Sequence, residues 1–409
     1  MTDKTFSTLS VELTISLPKQ VKKDMGIFFT PPVLIKSLLE HVPITTESII
    51  LEPSCGSCEF MTFIDDHYTY RQMTGVEWNQ TIFNRIQGIG YVGDVQLIHS
   101  DFLRINREDV GRPTLIVGNP PFLVISRETV PERFQPYLSG RPNLFCLFLL
   151  HALDLLAEEG HLAFVVPTSF LNSLYYEQVR KRIMEVATIE KLFTLKDDTF
   201  LDTKQETAGF VLRKRRLPTS TSAPPPPPSN YTITIAGHLY FTTQKQELET
   251  LLEGSTTLSR MGLSVKTGTI VWNQHKDKLT DDPTETLLVY NTNIKENRFN
   301  LMEFQNEEKQ QYIELDETVE PLTTPVIAVN RGNGNSSYRL TYCLLELGQP
   351  YVLENHINYI YQDEDEVDMD LFEQVLESFQ DERTQRFISI FLGNNGMSKT
   401  ELEQVLPIY

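Results

Sequence analysis

Residues 49–60, IILEPSCGSCEF, join a short apolar run to a turn of small residues. The apolar run is typical of a buried strand, and the residues from Glu59 onward follow a helical pattern. Ser54, Gly56 and Ser57 allow a ligand to approach the backbone closely. A strand that passes through such a turn into a helix is the arrangement that cradles nucleotides, so the segment predicts a nucleotide-binding sheet.

Two further predicted strands each end in an acidic residue. Glu77 follows the strand over residues 73–76 and lies 21 residues after Gly56. An acid at about this distance accepts hydrogen bonds from ribose hydroxyls in dinucleotide-binding sheets. Asp101 follows the next strand, over residues 95–98. Each acid alone is also consistent with a helix N-cap, but three strand ends with this chemistry together predict an adenosyl-binding site.

The fourth predicted strand, residues 114–117, ends in the segment GNPPF. The two prolines stiffen this turn and remove two backbone donors. The Asn119 side-chain carbonyl and the Pro120 backbone carbonyl can then accept hydrogen bonds from one amino group, and Phe122 adds a flat ring. A plain Asn-Pro turn would explain the asparagine and the prolines, but not their position at a strand end facing the turn. The segment therefore predicts a pocket for a planar exocyclic amine.

Apolar runs and helical patterns alternate in the first half of the chain. The predicted strands are 48–51, 73–76, 95–98, 114–117 and 162–166, and the predicted helices are 32–41, 59–66, 79–88 and 144–158. Strands and helices at this spacing predict an α/β fold, with a mostly parallel sheet that helices cover on both faces.

A stretch rich in proline, serine and threonine divides the chain. Residues 217–230 contain five consecutive prolines, which are typical of an extended spacer and not of a core. We therefore predict a ligand-binding domain over residues 1–216, a linker over 217–230 and a second domain over 231–409. In the second domain the predicted strands are 264–272, 286–291, 325–330, 338–345 and 351–353, and the predicted helices are 371–379, 385–391 and 399–405, a mixed α+β pattern.

The composition is globular, with an acidic second half. The 409 residues carry a net charge of −19, and residues 217–409 contain 13 basic and 29 acidic residues. This balance argues against a nucleic-acid coat protein or a polybasic membrane binder, but it allows a local basic groove. Cys55 and Cys58 form a C-x-x-C pair with no second pair, so we predict no metal site. No apolar run approaches the ~18 residues of a membrane span, and we expect a cytoplasmic protein without membrane contact.

The order of these motifs resembles that of the S-adenosylmethionine-dependent DNA adenine-N6 methyltransferases of the gamma class, type II restriction-modification type. The segments that carry the resemblance are GIFFTPP at 26–32, the turn at 52–60, GVEWN at 75–79, SDF at 100–102 and NPPF at 119–122, with RPNLF at 141–145 and VVPTS at 165–169. The match is dense over residues 22–215. It is looser beyond the linker, where VWNQHK at 271–276, VNRGNG at 329–334 and LENHI at 353–357 look like target-recognition segments.

The resemblance implies a Rossmann-like methyltransferase sheet, followed by a DNA target-recognition domain, and S-adenosyl-L-methionine as the cofactor. The cofactor-binding residues that it implies are Phe29, Thr30, Glu52, Ser54, Gly56, Glu77, Trp78, Asp101 and Phe102. The catalytic residues that it implies are Asn119, Pro120 and Phe122, with Phe200 as a second ring against a flipped-out adenine. Cys58 stands where the family usually has glycine, and it carries strain if that position requires a positive φ.

The resemblance further implies site-specific methylation of N6 of an adenine in double-stranded DNA, which protects the DNA in a restriction-modification system. The implied partners are the duplex and a cognate restriction endonuclease acting on the same site, and the chain is expected to be monomeric. Polar and basic side chains of the second domain would read the base edges. The candidates for substrate binding there are Trp272, Asn273, Lys276 and Arg331.

Two other functions stay open at this point. The same pocket could methylate another planar amine or amide, in an RNA base or a protein glutamine. The chain could also be an inactive partner that only binds DNA or a sister subunit. Cys58 favours this second alternative, whereas the intact segment at 119–122 argues against it.

Overall fold

The computed structural model describes residues 6–194, 206–216, 229–302, 304–306, 308–332, 338–363, 367–392 and 396–409. The chain divides into two compact units, Met1–Lys245 and Gln246–Tyr409. The five prolines of the predicted linker lie outside the described residues.

The first unit alternates strands and helices along most of its length. Its strands are β1 (Ile49–Glu52), β2 (Gln72–Glu77), β3 (Val95–His99), β4 (Leu115–Gly118), β5 (His161–Pro167), β6 (Ala187–Thr194), β7 (Thr207–Lys214), β8 (Thr232–Ile235) and β9 (His238–Phe241). Its helices are α1 (Thr8–Ser16), α2 (Lys19–Met25), α3 (Pro32–Leu39), α4 (Glu59–His67), α5 (Gln80–Ile86), α6 (Arg107–Val110), α7 (Leu144–Leu155), α8 (Ser169–Asn172) and α9 (Glu177–Val186).

One seven-stranded sheet organises this unit, in the order β3-β2-β1-β4-β5-β7-β6. The pairs among the first five strands of this order are parallel, and β7 runs antiparallel to both of its neighbours. The strand order reverses between β1 and β4, so the loops after these strands open a crevice at the carboxyl edge, where ligands bind in such sheets. The predicted α/β fold with a Rossmann-like sheet is confirmed, and β6 and β7 extend it beyond the five predicted strands.

Two apolar cores cover the two faces of the sheet, which explains why its strands read as unbroken apolar runs. On one face lies α7, which buries ten of its twelve residues. On the other face α3 and α4 contribute side chains such as Leu38, Phe60 and Ile64. The helix predicted over 144–158 ends earlier, at Leu155, because Leu156 adopts an extended conformation.

A hairpin of β8 and β9 packs against α9 and belongs to the first unit. The buried guanidinium of Arg180 donates hydrogen bonds of 2.8 Å to the carbonyl oxygens of Leu239, Phe170 and Ser173. Glu177 accepts a hydrogen bond from the Leu239 amide and lies 2.9 Å from Nδ1 of His238. These contacts tie the hairpin to α9, so the second unit begins after Lys245 and not at the predicted residue 231.

The second unit has a mixed α+β architecture. Its strands are β10 (Ser264–Thr267), β11 (Leu279–Thr280), β12 (Thr286–Val289), β13 (Ile294–Lys295), β14 (Arg298–Phe299), β15 (Tyr312–Ile313), β16 (Val326–Asn330), β17 (Tyr342–Leu345), β18 (Tyr351–Leu353) and β19 (Ile357–Tyr361). Its helices are α10 (Lys245–Leu252), α11 (Met369–Gln380), α12 (Glu382–Phe391) and α13 (Lys399–Gln404). The strands form an antiparallel sheet β10-β19-β16-β17, a mixed sheet β11-β15-β12-β18 and the small β13-β14 pair.

Two strands of the second unit are shorter than predicted by four residues or more. The strand predicted over 264–272 stops at Thr267, because Gly268 lies so close to the Glu354 carbonyl that a Cβ would be 2.2 Å away. The strand predicted over 338–345 begins only at Tyr342. Before it, the Tyr338 hydroxyl donates a 2.7 Å hydrogen bond to the Asn330 carbonyl.

Candidate active site

The turn after β1 is tied to the end of β2 through the buried carboxylate of Glu77. The Gly56 amide donates to Glu77 Oε2 at 2.9 Å, and the Asn79 amide donates to Oε1 at 2.6 Å. The Cys55 amide adds a 2.9 Å bond to the Val76 carbonyl. Burial raises the pKa of Glu77, although these amide donors oppose the shift. The carboxylate thus shapes the turn and keeps unused lone pairs that further donors can reach.

Cys58 adopts the left-handed conformation that its replacement of glycine put in question. Its φ is 64° and its ψ is 30°, at the position immediately before α4. Its side chain is buried. A non-glycine residue in this region costs about 1–3 kcal/mol, and such strain concentrates at functional sites. Cys58 therefore has the strained backbone that is expected if this position requires a positive φ.

Glu52, the last residue of β1, is a buried carboxylate without a hydrogen-bond donor on Oε2 in the described chain. Burial, together with the nearby Cys58 and Glu77, raises its pKa well above the ordinary value. An ionised carboxylate in such a place requires a cation or a donor. The ammonium group of an amino-acid moiety fits this requirement, so the residues present are compatible with the methionine end of S-adenosylmethionine.

The catalytic segment that the sequence predicts lies directly beside this turn. The Ser54 hydroxyl donates a 3.3 Å hydrogen bond to the Asn119 backbone carbonyl. The Asn119 side chain donates from Nδ2 to the Phe28 carbonyl at 3.1 Å. Since this bond fixes the amide with its nitrogen toward Phe28, Oδ1 is left as an acceptor. Asn119 is half-buried, whereas Pro120 is buried.

The segment Gly26–Thr30 packs across both motifs. Gly26 has a φ of 64°, and a Cβ there would lie 3.0 Å from Cβ of Pro121. The Phe29 ring covers Gly56 so closely that a Cβ on that glycine would lie 3.4 Å from the ring. Thr30 is 4% exposed beside it. The leading motif, the small-residue turn and the catalytic segment therefore form the walls of one crevice.

The remaining predicted residues of this crevice have different environments. The Trp78 ring is 65% exposed at the end of β2, where it is available to a planar ligand. Asp101 caps the short helix that follows β3 by accepting from the Leu103 amide at 3.0 Å through Oδ1, as the alternative N-cap interpretation anticipated. Phe102 is 1% exposed and packs against Phe148 and His151, so it forms part of the core.

Phe122 and Phe200 are the two aromatic residues predicted to contact the target base. Phe122 is half-buried, and its ring centroid lies 5.8 Å from that of Phe145 in an edge-on arrangement. Phe200 lies outside the described residues. A half-buried aromatic ring therefore follows Asn119 three residues along the chain.

The N-terminal helix supports the site in a way that the sequence interpretation missed. Ser7 caps α1, and its hydroxyl and amide both donate to Glu59 Oε1, at 2.6 and 3.0 Å. The Ser10 hydroxyl bonds to the same carboxylate and to the Ser57 hydroxyl, the latter at 2.6 Å. The N-cap pattern at Ser7 was a usable signal for α1, but its contact with the turn 49 residues away was not readable from spacing.

In the second unit, the structure brings the three predicted recognition segments together. The Asn355 amide donates to the Ile270 carbonyl at 2.9 Å, next to the short helix Trp272–Gln274. Arg331 donates from its guanidinium to the Asn355 carbonyl, also at 2.9 Å. Asn273 is exposed. The charge of Lys276 is paired with Glu308 at 2.6 Å, so this lysine is less available to phosphate than predicted.

The described residues contain neither a metal site nor a helix that could span a membrane. Within them, no three His, Cys, Asp or Glu side chains are grouped in a way that would hold a metal ion. In the same part of the chain, every helix is too short or too polar to cross a membrane.

Comparison with known proteins now places the chain. The model of the family N-6 DNA Methylase matches residues 12–223, which is more than half of the chain. The chain belongs to this family. The predicted DNA adenine methyltransferase is thereby confirmed, and S-adenosylmethionine is its cofactor. The assignment to the gamma class stays a prediction.

Curated relatives of this N-6 DNA methylase come from viruses of algae, among other sources. The Type II methyltransferase M.CvrRI of Paramecium bursaria Chlorella virus XZ-6E is 24% identical over 99% of this chain and 100% of its own length. The Modification methylase CviBIII of Paramecium bursaria Chlorella virus NC1A is 30% identical over 51% of this chain and 55% of its own length. Among solved structures, a putative class I S-adenosylmethionine-dependent methyltransferase from Listeria monocytogenes matches with a TM-score of 0.41 and 19% identity, over 53% of this chain and 68% of that one.

Proposed function

We propose that this N-6 DNA methylase modifies one adenine within a specific duplex sequence after the base rotates out of the helix, and that the modification protects DNA in a restriction-modification system. The observation that carries the proposal is the junction at Asn119. Its hydrogen bonds to Ser54 and Phe28 join the small-residue turn, the leading motif and the catalytic segment in one crevice. Two relatives, a type II methyltransferase and a modification methylase, support the role in a restriction-modification system.

The crevice offers a set of acceptors and one open ring to the cofactor. S-adenosylmethionine supplies an electrophilic methyl group on a sulfonium. We assign Glu52 to the ammonium group of the methionine moiety, because its carboxylate is buried and short of donors. Glu77 accepts from the ribose hydroxyls with the lone pairs that Gly56 and Asn79 leave unused. Trp78 presents its exposed ring to the adenine.

Asn119 and Pro120 act on the amino group of the target base. Asn119 Oδ1 and the Pro120 carbonyl accept the two N6 hydrogens, which draws the nitrogen lone pair out of conjugation with the ring. The lone pair could then attack the methyl group, with the bond between the methyl carbon and the sulfonium breaking and the sulfur leaving as a neutral thioether. Since the methylated nitrogen is acidic until it loses a proton, a strong general base is not required. Catalysis is mainly positioning and hydrogen bonding.

Phe122 offsets part of the cost of taking the base out of the duplex. Loss of stacking and pairing costs a few kcal/mol. Stacking on an aromatic side chain returns about 1–3 kcal/mol per base. Phe122 is half-buried and supported by Phe145, so its ring is held in place before the base arrives. Phe200 is proposed for the opposite face of the base.

Recognition of the DNA word is assigned to the second unit. The segments around Trp272, Arg331 and Asn355 lie together, and they carry the amide and guanidinium groups that read base edges and phosphates. The acidic residues at 363–382 then belong to a surface that does not contact DNA, because affinity for the duplex comes from local cations.

The test is mass spectrometry of nucleosides from mixed-sequence duplex DNA incubated with the protein and S-adenosylmethionine. We expect N6-methyladenine with the wild type. For Asn119→Ala we expect turnover to fall about 100-fold or more, because one of two acceptors of the reacting amine is lost. Cofactor affinity, measured by calorimetry, should stay within about threefold of the wild type.

A matched control is Asn84→Ala, on the outer face of α5, which should leave both quantities unchanged. Equal losses of turnover and cofactor binding in Asn119→Ala would contradict the assignment of Asn119 to the target amine. Methyl transfer to RNA or to glutamine in a protein, with none to DNA under the same conditions, would overturn the proposed substrate.

A further inference from the structure

A cavity of about 330 Å³ lies in the first unit, away from the crevice just described. Four cationic side chains line it, and Asp154 is the one acidic residue among its lining side chains. The four are Arg107, Arg133, Arg182 and Lys214. In a chain with a net charge of −19, such a concentration of positive charge in one concave site calls for an explanation.

The position of the cavity separates it from the methylation site. Lys214 ends β7, and its amide bonds to the carbonyl of Gly160, just before β5 begins at His161. Val186, another lining residue, lies just before β6. The cavity is therefore at the amino edge of the parallel strands. The small-residue turn and Asn119 are at the carboxyl edge, about 20 Å away along a seven-residue strand.

Among the described residues, three of the four cations have no carboxylate at ion-pair distance, although Asp154 and Glu158 attract Lys214 from farther away and oppose the lowering of its pKa. Across the described ranges, no carboxylate oxygen lies within 4.0 Å of the charged nitrogens of Arg107, Arg133 or Lys214. Arg182 has a 3.0 Å contact with Glu185, whose side chain is 62% exposed. Such an exposed pair adds little stability, but Glu185 still offsets part of the charge of Arg182.

Two of the cations also have a structural task. Lys214 donates from Nζ to the carbonyls of Leu153 and Leu156, and Arg107 donates to the carbonyl of Asp154. These bonds complete the end of α7. They do not involve Arg133 and Arg182, which come from two other elements, although the Arg133 guanidinium also lies 3.1 Å from Nδ1 of His151. Burial and the neighbouring Arg107 lower the pKa of Lys214, so the like charges are close enough to repel one another.

The cavity also has an apolar floor, formed by Leu150, Leu153 and Val186, and an aromatic wall at Phe134 and Tyr137. The guanidinium of Arg133 lies 4.6 Å above the Phe134 ring, and that of Arg182 lies 5.7 Å from the Tyr137 ring. Stacking of this kind holds a planar guanidinium in one orientation, which favours bidentate binding of an oxyanion.

We propose that this cavity is a second ligand site, which binds a phosphate-type oxyanion between Arg133, Arg182 and Lys214, with room for the small organic group that carries it. The chemistry is that of a phosphoryl group. The source is either a free phosphorylated small molecule or a backbone phosphate of nucleic acid, and the experiment separates them.

The test measures binding to the full chain by calorimetry, with inorganic pyrophosphate, with ADP and with a short DNA duplex as three separate probes. Arg133→Gln with Arg182→Gln removes two of the charges without touching the bonds that end α7. We expect this double variant to lose about tenfold or more in affinity for pyrophosphate and ADP, since each charge-assisted bond contributes substantially. Arg85→Gln, which removes an arginine paired with Glu12 on another face, should bind as the wild type does.

Two comparisons identify the source of the phosphoryl group. Saturable binding of ADP that the double variant loses indicates a free phosphorylated molecule. If the double variant loses affinity for the duplex but not for ADP or pyrophosphate, the site binds a backbone phosphate. Equal binding of all three probes by wild type and double variant, or no saturable binding of any probe, overturns the proposal. Arg182→Gln alone, at a half-exposed position, keeps the test valid if the double variant does not fold.

Discussion

At the scale of single residues, Cys58 shows how the site departs from its family and at what cost. The backbone before α4 needs a left-handed residue there, and cysteine supplies it only against the clash of its Cβ. The turn is nevertheless held by main-chain bonds to β2 and by the carboxylate of Glu77. The position of Cys58 therefore accommodates a small side chain, but its backbone is strained.

We predict that Cys58→Gly is more stable than Cys58→Ala by about 1 kcal/mol. Both variants remove the thiol, but only alanine keeps the Cβ that the left-handed conformation penalises. Urea denaturation of the two variants, side by side, measures the difference. An alanine variant at least as stable as the glycine variant would show that the backbone is not strained at this position.

Glu77 gives a prediction about pH. Burial raises its pKa above the ordinary 4.5, and its ionised form holds the amides of Gly56 and Asn79. As pH falls, protonation removes acceptor capacity, so affinity for S-adenosylmethionine should begin to fall at a pH above 4.5 and continue to fall below it. Calorimetry across this range is the measurement. Glu77→Gln should bind more weakly at neutral pH and show a flatter profile, whereas an unchanged profile would exclude Glu77 as the titrating group.

At the scale of elements, α9 and the β8-β9 hairpin form a unit held by polar groups. Arg180 and Glu177 satisfy main-chain and side-chain groups of the hairpin across 59 to 62 residues of sequence. The intervening chain contains the proline-rich stretch, which has no apolar pattern that would predict the return. These polar contacts, together with the burial of Phe241 against Phe170 and Phe210, therefore decide which unit the hairpin joins.

We predict that Glu177→Gln destabilises the first unit by about 1–3 kcal/mol near neutral pH, the usual size for hydrogen bonds to a charged group. Burial raises the pKa of Glu177, but the bonds from Lys181, His238 and Leu239 outweigh it and lower the pKa overall. A lowered pKa means that the stabilisation is present above the unfolded-state pKa and is lost as pH falls through the folded-state pKa.

The difference between wild type and Glu177→Gln should therefore disappear in acid. Thermal denaturation from pH 7 down to pH 3 follows it. A matched control is Glu185→Gln on the same helix, where an exposed carboxylate pairs with Arg182 and should matter little. A Glu177 effect as large at pH 3 as at pH 7 would contradict an ionic origin.

At the scale of the whole molecule, a chain with a net charge of −19 is proposed to bind DNA, which is itself strongly negative. The proposed contact Lys276 is paired with Glu308, and its neighbour Lys278 is paired with Asp316. Arg331 instead donates to a main-chain carbonyl, which orients its guanidinium without neutralising it. Affinity for DNA should therefore depend on few cations.

We predict that Arg331→Gln lowers the slope of log affinity for duplex DNA against log salt concentration by about 1, as expected for one lost phosphate contact. Lys278→Gln, which removes a paired charge, should change the slope less. Fluorescence anisotropy with a labelled duplex over a range of salt concentrations measures both. The same slope for Arg331→Gln and wild type would place Arg331 outside the phosphate contacts.

The sequence by itself determined the parallel sheet, its strand ends and the chemistry at those ends. This was possible because apolar runs mark buried strands and because motifs such as Asn119–Phe122 are local, with their proposed function carried by adjacent residues. Each of the five predicted first-half strands lies within one residue of the observed strand at either end.

Only the tertiary structure decided which distant groups meet. It placed Phe28 against Asn119, Ser10 against Ser57 and the hairpin against α9, through single hydrogen bonds that leave no periodic trace in the sequence. It also gathered Arg107, Arg133, Arg182 and Lys214 around one cavity, although these residues lie on four separate elements. Sequence patterns report burial along an element, whereas the packing of elements fixes which polar side chains share a site.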